Sequence, residues 1–143
     1  MAEVSARRVV IDSISSLEIS LTASFQEEFR EGLYWLVRAL AAQGVTLLLT
    51  IEATESFMEL RISPQHPISF VADDIIVQRY IEVDGELRQV MAVLKMRRGK
   101  HSRSFWAYEV ETGAGLVVRD AVRGYRGLLL GVPEWRDGSV PPP

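Results

Sequence analysis

An acid closes the short apolar run Arg8-Val9-Val10-Ile11-Asp12, and the hydroxyl residues Ser13, Ser15 and Ser16 follow it. A carboxylate at the carboxyl end of a buried strand stands where an open α/β sheet places ligands, and it can hold Mg²⁺ through its water shell. The plainer use of Asp12 is to cap the turn with Ser13. Thr50 ends a second apolar run, Val45-Thr46-Leu47-Leu48-Leu49-Thr50. Its hydroxyl there could sense a phosphate or the water attacking it, or the residue simply finishes the strand as a β-former. A basic run supplies the complementary charge. Lys95, Arg97, Arg98, Lys100 and Arg103 place five of the sixteen cationic residues inside nine positions, and no acid occurs between Glu86 and Glu109. Strand alternation sends Lys95 and Arg97 from one face and Arg98 from the other, so two cations can converge on one anionic group. Arginine offers phosphate oxygens a planar fork, and lysine adds a compact charge. The same run would also serve as a solvated edge that discourages aggregation. His101 and Arg103 follow in the connecting segment, where they could meet a base or ribose or merely face water. Phe105, Trp106 and Tyr108 suit base stacking or, more commonly, core and interface packing. Nothing in the spacing of Glu52, Glu55 and Glu59 selects one of them for a role.

The elements that must position these groups are legible in the apolar periodicity. Arg8 to Asp12 reads as a buried parallel strand. Ser24 with Glu27 forms a capping box, and Phe25, Phe29, Leu33, Leu36, Val37 and Leu40 recur at three- and four-residue steps, which predicts a helix from about Ser24 to Gln43. Gly44 stops it, and the apolar strand ending at Thr50 follows. Strand, helix and strand with short connections make a right-handed parallel unit, hence α/β architecture. Residues 52–69 contain Ser63-Pro64-Gln65-His66-Pro67 and are expected to form a long surface loop. Ile75 to Val83 and Leu87 to Arg97 flank Asp84-Gly85-Glu86, a strong signal for a tight hairpin. A second hairpin joins Phe105–Val110 to Leu116–Val118 through Thr112-Gly113-Ala114-Gly115. The fold class expected is therefore parallel strands with a covering helix, followed by two β-hairpins. The domain should run over 7–133, with 134–143 a proline-containing tail or linker ending in Pro141, Pro142 and Pro143.

Composition narrows the chemistry. With 143 residues, 48% apolar and 24% charged, the chain is long enough for one domain with its own core and is not of disordered type. Net charge is −3, so no global basic field argues for nucleic acid. There is no cysteine, which excludes thiolate metal sites and a cysteine nucleophile, and the two histidines, His66 and His101, are far apart, so zinc is not expected. No apolar run approaches the roughly 18 residues that would span a membrane, and no apolar signal region opens the chain; a cytoplasmic protein is expected.

Four segments in order, Val9-Val10-Ile11-Asp12-Ser13-Ile14-Ser15-Ser16-Leu17, Leu47-Leu48-Leu49-Thr50, Phe70-Val71-Ala72-Asp73-Asp74-Ile75-Ile76 and Val93-Leu94-Lys95-Met96-Arg97, resemble the KaiC family. The resemblance covers roughly residues 7 to 133. It implies the C-terminal half of a RecA-like core, from the Walker B strand onward, in a family that assembles hexameric rings with ATP at the seam between subunits. By that resemblance Asp12 is the Walker B acid that positions Mg²⁺, and Thr50 occupies the sensor position. Lys95 and Arg97 match a Lys-x-Arg pair that reaches the γ-phosphate bound by the next subunit. His101 and Arg103 match residues that approach the adenine and ribose of that nucleotide. Fingers of this kind stabilise charge in phosphoryl transfer.

The departures are specific. A phosphate loop needs Gly-x-x-x-x-Gly-Lys-Ser/Thr, whereas here Gly99-Lys100 is followed by His101 and Leu94 stands where the first glycine should be. The family's paired acids upstream of Walker B are also missing. The chain is therefore expected not to hydrolyse ATP alone, and ATP and Mg²⁺ are implied by the family without being expected to bind the isolated chain. Three readings follow. The first is a fragment of a larger KaiC-like ATPase. The second is a natural half-domain acting as a regulatory, interaction or oligomerisation module. The third is a single-stranded nucleic-acid binder of the RecA class. The expected partners are a homo-oligomer or the missing N-terminal half of the ATPase domain, because strands built for burial on both faces leave apolar surface that seeks a partner.

Overall fold

A computed structural model describes residues 5–19, 23–52 and 72–136. The expected loop beyond Glu52, residues 53–69, and the terminal prolines lie outside the described residues, as do the side chains of Ser24 and Glu27. The chain divides into two compact units, Met1–Val71 and Ala72–Pro143.

In the first unit, β1 (Arg8–Ile11) and β2 (Thr46–Leu49) pair in parallel, with Arg8 opposite Thr46 and Ile11 opposite Leu49. Between them come α1 (Ile14–Ile19) and α2 (Ala23–Ala42). The long helix contacts β2, and among its periodic apolar residues Leu33 is buried while Phe29, Val37 and Leu40 are half-buried. Phe25 and Leu36, which the periodicity places on the core face, are 56% and 44% exposed. The helix ends as its glycine predicts. Gly44 has φ 72°, its N–H donates to the Ala41 carbonyl at 3.0 Å, and the Val45 N–H returns to the Leu40 carbonyl at 3.0 Å, a Schellman closure that delivers the chain into β2.

The short helix α1 was not evident from the periodicity. Ser13 begins it as an N-cap, its hydroxyl accepting from the Ser16 N–H at 3.2 Å while Ile14 is buried. The Asp12–Ser13 peptide bond is cis.

The second unit is a four-stranded antiparallel sheet in the order β3 (Asp74–Val83), β4 (Glu86–Met96), β5 (Trp106–Glu111), β6 (Gly115–Ala121). Asp84 and Gly85 both take positive φ, 55° and 76°, the primed two-residue turn that an Asp-Gly pair predicts. One face of this sheet is covered by the C-terminal segment. There β7 (Tyr125–Arg126) pairs with β8 (Glu134–Trp135) around a 3₁₀ turn, Leu128–Leu130. Leu128 enters the core formed by Ile81, Val83 and Val90, with Phe105, Val122 and Tyr125 packed beside them. The Arg79 guanidinium donates to the Leu129 carbonyl, which ties the turn to β3 from the same side. The ordered pairing reaches Trp135, whose ring meets Tyr125 edge-on at 5.0 Å.

Candidate functional site

Parallel register brings the first two candidate residues together. β1 and β2 end level, the Thr50 N–H donates to the Ile11 carbonyl at 3.0 Å, and the Ile14 N–H donates to the Thr50 carbonyl at 3.0 Å. Asp12 and Thr50 are thereby fixed side by side at the carboxyl edge of the pair, and the Thr50 hydroxyl donates to the Asp12 carboxylate. Asp12 is exposed and Thr50 half-buried, and the threonine hydroxyl orients the carboxylate. Three serines that sequence reasoning left without individual roles complete the edge. Ser13 and Ser16 exchange a hydroxyl hydrogen bond at 2.9 Å, and the Ser15 hydroxyl accepts from the Glu52 N–H at 3.0 Å, which ties the chain leaving β2 to α1. The signal for Ser13 and Ser16 was their three-residue spacing ahead of an apolar helix start; the Ser15 contact spans 37 positions and has no local signature.

These are hard oxygen donors, which suit Mg²⁺. Among the described residues there is no group of three or more His, Cys, Asp or Glu side chains able to hold a metal, so the edge offers one carboxylate with hydroxyls beside it. That donor set fits an ion that keeps several waters and takes its remaining oxygens from a phosphate.

The cationic candidates belong to the second unit. The strand register slips between Ile75 and Ile76, so that Val93 stands opposite Ile76 and Lys95 opposite Ile75. Cross-strand partners share a face, so alternation breaks at Leu94 and Lys95 emerges opposite the face that Val93 occupies. Lys95 Nζ donates to the Ala72 carbonyl at 2.7 Å. Arg97 lies one residue beyond β4; its N–H donates to the Asp73 carbonyl at 2.9 Å, and its guanidinium lies 3.2 Å from the Asp73 carboxylate. The two cations thus meet neighbouring residues, Ala72 and Asp73, at the entry to β3. Both ends of the Arg97–Asp73 pair are more than half exposed, which makes the pair weak and exchangeable, worth about 0–1 kcal/mol.

His101 and Arg103 sit in the segment between β4 and β5, His101 half-buried and Arg103 exposed. Ser102 organises this segment. Its carbonyl lies 2.8 Å from His101 Nδ1, and its hydroxyl accepts from the Ser104 N–H at 3.2 Å and from the Trp106 indole at 2.9 Å. Trp106 is opposite Met91 and Tyr108 opposite Val118, on the face that Lys95 leaves, so the aromatic row and Lys95 do not share a surface.

A family profile described as the ATPase KaiC matches residues 1–123. The circadian clock oscillator protein KaiC of Parathermosynechococcus lividus is 31% identical over 126 residues, 88% of this chain and 22% of that protein. The protein of the same name from a Picosynechococcus species is 28% identical over 133 residues, 93% of this chain and 25% of its own length. Among solved structures, a KaiC-like protein from Pyrococcus horikoshii superposes with a TM-score of 0.66 at 33% identity, covering 80% of this chain and 47% of that one. The chain thus spans about a quarter of the length of these curated relatives and about half of the solved one.

Proposed function

Because the chain belongs to the KaiC ATPase family, we propose that it supplies part of an ATP site: the magnesium edge at Asp12 and Thr50, and a Lys95–Arg97 finger for a nucleotide held by an adjoining subunit. The observation that carries this reading is the Thr50 hydroxyl on the Asp12 carboxylate, at the level ends of two parallel strands. In this reading Asp12 holds Mg²⁺ through its waters and Thr50 fixes the carboxylate's orientation. When bound, the ion supplies charge neutralisation to the phosphate oxygens. Lys95 and Arg97 act on a neighbouring nucleotide by exchanging Ala72 and Asp73 for phosphate oxygens, an exchange that the exposure of the Arg97–Asp73 pair keeps inexpensive. His101 and Arg103 flank the base and ribose of the same nucleotide.

No Gly-x-x-x-x-Gly-Lys-Ser/Thr occurs in the sequence, so the phosphates have to be cradled by another polypeptide segment. In this reading the phosphate loop comes from another segment of a KaiC-type domain, in the same polypeptide or in an adjoining subunit. The single-stranded nucleic-acid reading is less well supported, because Lys95 and the aromatic row leave opposite faces of the sheet.

The test is calorimetry with Mg-ATP on the chain alone and on the chain mixed with a polypeptide carrying the phosphate loop of a KaiC-type domain. Binding is expected in the mixture and not in the chain alone, and Asp12→Asn should weaken it by at least about tenfold. Arg97→Ala should leave binding near its starting value and lower turnover by roughly 10³. Equal binding with Asp12→Asn, or no binding in the mixture, would rule out the shared site.

A further inference from the structure

Asp73 meets Arg97 twice, once through its backbone and once through its side chain. Its carbonyl accepts the Arg97 N–H at 2.9 Å, and the pair that follows, Asp74 opposite Met96, opens the β3–β4 ladder. Its carboxylate lies 3.2 Å from the Arg97 guanidinium, while Lys95 Nζ reaches the neutral Ala72 carbonyl one residue earlier at 2.7 Å. The sheet therefore holds the two backbones whether or not the charged ends, 52% exposed for Arg97 and 63% for Asp73, stay together. To a guanidinium a carboxylate and a phosphate are alike, since each offers oxygens to the same planar fork. Asp73 thus presents Arg97 with the chemistry of the ligand proposed for it. Asp74 supplies the contrast. It carries the same charge one position away, but it pairs with Met96 and leaves on the other face, which the apolar Ile76 and Tyr80 share.

We propose that Asp73 is an internal stand-in for phosphate: it holds the Lys95–Arg97 finger at residues 72–73 until a di- or triphosphate displaces it, and so restrains the finger between encounters. This role rests on the finger reading above and adds a competitor to it. Asp73 touches Arg97 and not the nucleotide, which makes it a positioning residue, and its removal should release activity where loss of Arg97 abolishes it. An exposed pair biases the finger by no more than about fivefold. A polyphosphate carries several charges and overcomes that bias, whereas a ligand with one carboxylate only matches what Asp73 already offers.

The probe is inorganic tripolyphosphate, titrated calorimetrically into the full chain without magnesium. Arg97→Ala should weaken its binding at least about threefold. Asp73→Asn should strengthen binding about three- to fivefold, Asp74→Asn less than about twofold, and Asp73→Glu should stay near the parent. In an Arg97→Ala background Asp73→Asn should gain no more than Asp74→Asn does, because no guanidinium is left to release. In the mixture with a polypeptide carrying the phosphate loop, Asp73→Asn should leave Mg-ATP binding near its starting value and raise turnover by up to about fivefold, a gain that damage to the strand would not produce. Tripolyphosphate binding indifferent to Arg97→Ala would remove the finger, and the role of Asp73 with it. Binding that Arg97→Ala weakens, but with Asp73→Asn equal to Asp74→Asn, with Asp73→Glu behaving as Asp73→Asn, or with the gain persisting without Arg97, would leave the finger standing and overturn Asp73 as its restraint.

Discussion

Replacing Leu128 by alanine should release the C-terminal segment from the hairpin sheet. Leu128 is 6% exposed and meets Ile81 at 1%, Val83 at 4% and Val90 at 0%, which together form the buried centre of the second unit. Leucine-to-alanine changes in dry cores cost about 2–5 kcal/mol, the spread reflecting how far the surroundings can close the gap. Closure is restricted here. Gly127 and Gly131 bracket the 3₁₀ turn at φ 75° and 76°, and the turn is tied to β3 through Arg79 on the Leu129 carbonyl. The site can therefore collapse only in part, and a loss of about 3 kcal/mol is expected. For a unit of this size that corresponds to a fall in melting temperature of at least about 10 °C. Trp135 provides the local reading, because its ring packs edge-on against Tyr125 in the same segment. In a background with Trp35→Phe and Trp106→Phe it is the sole tryptophan of the chain. Denaturant unfolding followed by its fluorescence should show the loss, while Leu130→Ala, at a position 46% exposed, should cost less than about 1 kcal/mol. Equal, small losses in both variants, with the Trp135 signal unmoved, would show that Leu128 does not anchor the segment.

Two further perturbations address the site and the apolar face. Thr50→Val keeps the shape of the side chain but removes the hydroxyl that orients Asp12; stability should change by less than about 1 kcal/mol, because the carboxylate is exposed to water, while Mg-ATP affinity in the two-polypeptide mixture falls and Thr50→Ser retains it. Calorimetry alongside thermal melting separates the two effects. Tyr108 is held above the ordinary tyrosine range by burial, with a smaller contribution from Tyr80. The folded state therefore favours the neutral phenol, a contribution fully present below pH about 10 and lost as the pH rises through the folded value. Stability should fall more steeply in that alkaline range in the parent than in Tyr108→Phe, and tyrosinate absorbance should show the variant lacking a late-titrating group.

Much of the fold was legible because its signals are local. The apolar run to Asp12, the three-and-four periodicity with its Gly44 stop, and the Asp84-Gly85 turn each depend on a few adjacent residues, and each element formed where they placed it. The sequence put Asp12 and Thr50 at the ends of two parallel strands, but their hydrogen bond, across 38 positions, depends on those strands ending level, which no local signal fixes. The helix α1 escaped because six residues carry too little periodicity to register, and its capping serines read equally well as a polar turn.

The hairpin shows where local reading stops. Alternation predicts side-chain direction only while the register is unbroken, and the slip between Ile75 and Ile76 turns Lys95 away from the aromatic row that the sequence set beside it. Nothing in Val93-Leu94-Lys95 announces that slip, since all three fit a strand. The slip separates two surfaces that look continuous along the chain. Lys95 is carried with Arg97 toward Ala72 and Asp73, and the opposite face holds the exposed apolar side chains of Ile76, Tyr80, Leu87, Val110, Leu116 and Val118. One irregular step in β4 therefore parts Lys95 from Trp106 and Tyr108, so that either group can be changed by mutation without touching the other.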